Sequence, residues 1–160
     1  MTYTDDDLTQ LIACAKRVSQ APKKEMRTVG QVQRNEFELV SMDGGHSFRV
    51  FLRQNRQFSE NFSIGIDYLP KGEPGSFCLL RCNGMHGSHK LNPHHLYYHI
   101  HRSKAEDVNA GLRVERHIEP TTKYASFRDA LRYFLRRVNV QLADLSQYFP
   151  GIAQNELFER

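Results

Sequence analysis

Apolar residues first recur at spacings of three and four: Leu8, Leu11, Ile12, Ala15 and Val18 line one side of a helix predicted over residues 4–19. Thr4 caps its start, and Asp5, Asp6 and Asp7 fill the first turn, where carboxylates complement the positive helix end. That placement accounts for the acidic triplet without a metal, because three consecutive helical side chains point in different directions.

After Pro22 the period changes to two. Phe37 and Leu39, then Phe48, Val50 and Leu52, then Phe62, Ile64, Ile66 and Tyr68 alternate with polar or small residues, the mark of half-buried strands. Asp43-Gly44-Gly45 and the stretch from Pro70 to Gly75 are turn chemistry, and connections this short imply antiparallel pairing. Further strands are predicted over residues 76–81, 95–102 and 112–117, about six in all. From Ser126 the helical period returns, with Phe127, Ala130, Leu131, Phe134, Leu135 and Val138 on one stripe and a cap at Ser126 and Asp129. A shorter helical segment over 140–149 ends at Pro150-Gly151. The expected fold is α+β: one domain over 1–160, with an N-terminal helix (1–21), an antiparallel sheet (27–117) and C-terminal helices (126–149) packed on one face of the sheet.

Composition narrows the class. A chain of 160 residues with 39% hydrophobic content supports one modest core. It has no apolar run of membrane-spanning length, and its acidic first ten residues lack a signal pattern, so a cytoplasmic protein with no membrane partner is expected. Cys14, Cys78 and Cys82 form no C-x-x-C pair and read as reduced, with Cys78 and Cys82 on one strand face. Charge is uneven: residues 1–80 hold 10 Lys/Arg and 10 Asp/Glu, residues 81–137 hold 11 and 5, and residues 138–160 hold 1 and 3. The basic segment also contains seven of the eight histidines.

Within it, His99 and His101 alternate along a strand, so their side chains share a face about 7 Å apart at roughly 3.3 Å per residue. Asn83-Gly84 opens a loop carrying His86 and His89, which strand pairing would bring towards that face; His94 and His95 follow Asn92-Pro93 as loop surface. Histidines titrate near neutral pH, so His99 and His101, assisted by His86 or His89, suit acid and base roles at a ribose hydroxyl and a leaving oxygen. Arg81, Arg102, Asn83, Arg113 and Arg116 would hold phosphate without metal. Arg128, Arg132 and Arg136 form a basic ridge on the last long helix, either solvated surface or a phosphate-contacting edge. Three imidazoles plus water form a known zinc set, so a site of His99, His101 and His86 is the alternative to a cofactor-free one.

With Arg81, Asn83, Gly84, His86, His89, the His99-Ile100-His101 strand and the closing helix over 127–138, the stretch 76–138 resembles bacterial toxins of the TumE type and related prophage or mobile-element proteins. The resemblance implies a growth-inhibiting protein that interferes with translation or RNA, with an antitoxin as protein partner. A relative without catalysis would serve as an inhibitor or anti-defence binder.

The sequence thus predicts a small toxin-like protein acting on RNA, with a metal-independent ribonuclease as its enzymatic form. Two other readings remain: a non-enzymatic module binding nucleic acid or protein, and a His-ligated zinc protein. Strand edges allow self-association without specifying it.

Overall fold

The computed structural model describes residues 2–85, 97–112 and 116–153. Its order is α1 (Asp5–Ala13), β1 (Lys16–Gln20), β2 (Arg27–Val29), β3 (Val32–Ser41), β4 (Ser47–Asn55), β5 (Phe62–Leu69), β6 (Phe77–Asn83), β7 (His99–Arg102), α2 (Ala105–Asn109), β8 (His117–Pro120), α3 (Phe127–Arg137) and α4 (Leu142–Tyr148). The strands form one antiparallel sheet in the order β1-β3-β4-β5-β6-β7-β8, with β2 also pairing with β3. The fold is α+β as the sequence predicts, with eight strands among the described residues rather than about six.

Period two generates the sheet's two faces. Phe37, Leu39, Phe48, Val50, Leu52, Phe62, Ile64, Ile66, Leu80, Cys82 and Ile100 are buried on one face. Helical segments cover it: Phe149 packs on Phe37 at 5.3 Å between ring centroids, Phe127 on Phe62 at 5.6 Å, and Tyr3 on Tyr68 at 6.3 Å.

Thr4 and Asp7 form a reciprocal cap on α1, as the pattern implies. The helix nevertheless ends at Ala13, not Ser19: Cys14 is extended, and residues from Lys16 pair with β3, Lys16 opposite Ser41 and Val18 opposite Leu39. Backbone pairing with a neighbouring strand overrides the local helical period of Ala15 and Val18. Lys16 is consequently fully buried. Its ammonium donates to the carbonyls of Ile12 (2.7 Å), Cys14 (2.8 Å) and Val138 (2.8 Å) and lies 4.8 Å from the Phe48 ring centroid. One cation thus satisfies carbonyls near the C-terminal ends of both α1 and α3, where the helix dipole is negative.

Other boundaries also move. The last strand is His117–Pro120, with Leu112 outside it, and the β6 strand runs on to Asn83. Residues 95, 96 and 113–115 of the expected strands lie outside the described residues. Cys78 and Cys82 do not share a face, because the β5–β6 register skips a residue: Leu80 aligns with Ile66 but Cys78 with Asp67. Cys82 stays with the core row while Cys78 turns to the other side. All three cysteines are free thiols.

The tight β3–β4 turn relies on Gly44, whose φ of 75° lies where side chains are disfavoured. Among the described residues no helix is long and apolar enough to cross a membrane.

Candidate functional site

The sheet face opposite the helices carries the polar chemistry, and strand register arranges it in rows. One row runs Arg34, Arg53, Ser63, Asn83, His99 and Pro120 from β3 to β8. The adjacent row runs Glu36, Phe51, Gly65, Arg81, His101 and Ile118. Alternation alone places His99 and His101 together; only the register brings Arg81 beside His101 and Asn83 beside His99.

His99 is fully buried and held from three sides. Its Nδ1 lies 2.8 Å from the Tyr97 carbonyl, which only accepts, so Nδ1 carries the proton and Nε2 presents a lone pair. The Asn83 amide faces that lone pair with Nδ2 at 3.4 Å, and its Oδ1 accepts from the Ser63 hydroxyl at 2.9 Å. Tyr124, reaching from the other layer, donates to the main-chain carbonyls of Asn83 (2.8 Å) and His99 (2.9 Å). The His99 and His101 rings meet edge to face at 5.0 Å between centroids. His101 is only 6% exposed.

Beside this network lies a groove of about 320 Å³ lined by Arg34, Glu36, Arg49, Phe51, Arg53, Ser63, Asp67 and Arg81, among others. Arg34 and Arg53 oppose each other directly across β3 and β4. Burial lowers the pKa of the Arg53 guanidinium, and repulsion from Arg34 and then Arg81 lowers it further. Glu38, 4.0 Å from the Arg49 guanidinium, offsets part of this charge. Four arginines against Glu36 and Asp67 leave the groove wall cationic. Its floor depends on Gly65: a Cβ there would collide with Cζ of Phe51, whose ring lies across the glycine.

The structure separates the other expected ligands from this face. Arg102 alternates to the helix side and donates to the Thr9 hydroxyl at 3.2 Å. Arg116 pairs with Asp107 at 2.7 Å, and His117 reaches the same carboxylate at 2.8 Å. Burial raises the pKa of the Asp107 carboxyl, but these two partners outweigh it and hold the group below the ordinary carboxylate range. Arg128, which donates to the Gly151 carbonyl at 2.7 Å, and Arg132 and Arg136 lie on α3 in the opposite layer. His86, His89, Arg113, His94 and His95 lie outside the described residues.

Among the described residues the one grouping of three metal-capable side chains is Glu106, Asp107 and His117, not the histidine pair. At His99 the Nδ1 proton is directed to Tyr97, so metal ligation would fall to Nε2, the atom facing Asn83.

Arg34, Phe51, Arg53 and Ser63 do not stand out in the sequence. Their signal is present as the polar half of each alternating strand, but it lies in the half of the chain whose charges sum to zero. The chain matches no protein-family model, no curated protein and no solved structure.

Proposed function

We propose that this is a small toxin-like protein that binds single-stranded RNA along the polar face of its sheet. The observation that carries the reading is the convergence of Arg34, Arg53 and Arg81 on one groove beside the His99–His101 pair. Guanidiniums that repel one another gain stability when a phosphate comes between them. The Phe51 ring offers a base a stacking surface between these charges. His101, aligned with Arg81, is the candidate acid or base at the scissile phosphate, and His99 is the positioning residue behind it.

Burial of both histidines favours one second reading, in which the same face binds RNA or an acidic partner protein without cleaving it. Fluorescence anisotropy with a labelled single-stranded RNA, repeated across salt concentrations, tests the binding. Affinity should fall with salt, and Arg53→Gln with Arg81→Gln should flatten the slope by about 0.7 for each phosphate that is no longer neutralised. A slope unchanged in that double variant removes the proposal. His101→Asn separates the readings: cleavage abolished with binding retained supports the ribonuclease, and no cleavage by the parent chain supports the binding module. In cells, growth arrest by the parent but not by His101→Asn would mark the toxin.

A further inference from the structure

A second cavity, of about 540 Å³, opens on the helix side of the sheet between α1 and the β3–β4 turn. Leu11, Ala15 and Met42 supply its apolar wall, and Tyr3, Tyr68 and His46 supply rings. Tyr68 meets Tyr3 edge to face at 6.3 Å and His46 at 5.7 Å, with the Tyr68 hydroxyl 3.1 Å from His46 Nδ1.

The charge of this cavity is opposite to that of the arginine groove. Asp7 and Asp43 line it, and no Lys or Arg does among the described residues. The Ser41 hydroxyl and the Gly45 N–H donate to Asp43 at 2.6 and 2.8 Å and hold its carboxyl below the ordinary range, so it stays ionised at neutral pH. Tyr3, only 9% exposed, contributes its ring to the cavity wall.

We propose that this cavity binds a small organic cation, an amine carrying an aromatic or alicyclic body. The size suits a drug-sized or smaller molecule, and mostly apolar walls with a few placed polar groups are the usual form of such sites. The ammonium lies among the tyrosine rings and Asp43, which attract it by their quadrupoles and charge. The proposal is independent of RNA binding on the opposite face.

Three probes of similar shape test it by calorimetric titration: tyramine, neutral 4-ethylphenol and anionic 4-hydroxyphenylacetate. Tyramine should bind tightest, by about tenfold over the neutral probe, and the anion should not bind, given the strength of cation–π and charge-assisted contacts. Asp43→Asn should weaken tyramine about three- to tenfold on the same grounds. Met42→Trp, at an exposed wall position, should block it. The Cys14 thiol supplies a second readout, since it lines the cavity half-buried while Cys78 and Cys82 are buried. Its labelling by a thiol reagent should slow when tyramine is present. No tyramine binding, equal binding of all three probes, or unchanged binding in both Asp43→Asn and Met42→Trp overturns the proposal.

Discussion

Arg34 and Arg53 stand directly opposite one another on adjacent strands, a like-charged pair on a sheet face otherwise able to hold neutral residues there. Directly opposed like charges cost about 0.2 to 1 kcal/mol in a sheet. Arg53→Thr should therefore stabilise the fold by a few tenths of a kcal/mol up to about 1 kcal/mol, while weakening RNA binding. Urea midpoints beside anisotropy titrations check this opposition. A variant that loses stability and keeps binding would show that the pair serves the fold.

His99 should behave as a structural support more than as an exposed acid or base. His99→Ala removes a fully buried ring together with its contacts to the Tyr97 carbonyl and the Asn83 amide. The expected cost is about 2 to 4 kcal/mol, combining lost packing and lost hydrogen bonds. Denaturant unfolding reads it directly, and an unchanged midpoint would contradict the burial argument.

Gly65 and Phe51 are coupled through the close approach of ring and backbone. Gly65→Ala should destabilise by about 1 to 3 kcal/mol, since the ring must leave its rotamer or the strands must shift. With Phe51→Ala already in place the same change should cost much less. A double-mutant cycle measures the difference, and additive effects would rule out the ring's close approach as its cause.

Lys16 closes the C-terminal ends of two helices with one ammonium. Lys16→Met preserves length but strands the carbonyls of Ile12, Cys14 and Val138. A loss of about 2 to 4 kcal/mol is expected, of the size seen when buried hydrogen-bond partners are removed. Retained thermal stability in this variant would mean that the carbonyls find other donors.

Alkaline pH should act on the buried lysine and on the buried thiol and phenol in opposite directions. Burial pushes Lys16 down to about 8 from an ordinary 10.5, so in that interval the unfolded chain holds a proton the folded chain has released. Folding is then favoured more as pH rises through the interval. Burial pushes the Cys82 thiol up to about 12 from 9.0, and burial raises Tyr124 as well. The stability owed to neutral Cys82 is complete below pH 9 and is lost as pH rises towards 12. Urea midpoints between about pH 8 and 11 should fall less steeply in Cys82→Ala than in the parent, and more steeply in Lys16→Met. Identical slopes in all three proteins would refute both assignments.

Alternation and spacing along the chain determine much of this protein. Period two from Phe37 to Tyr68 specifies antiparallel strands with one apolar face, and period 3.6 from Phe127 to Val138 specifies the helix that covers it. The same alternation puts His99 and His101 on one face, because successive strand residues point to opposite sides. It could not show which face of a neighbouring strand would lie beside them. That depends on register: one skipped residue sends Cys78 away from Cys82, and the pairing of β3 to β7 gathers Arg34, Arg53, Arg81 and the histidines from segments far apart in sequence. Tertiary pairing likewise converts the end of the expected first helix into β1, since backbone bonds to β3 outweigh a weak local preference and carry Lys16 into the core. Local periodicity is a property of a few consecutive side chains, whereas a site is a property of several strands at once, and only the folded sheet brings those strands together.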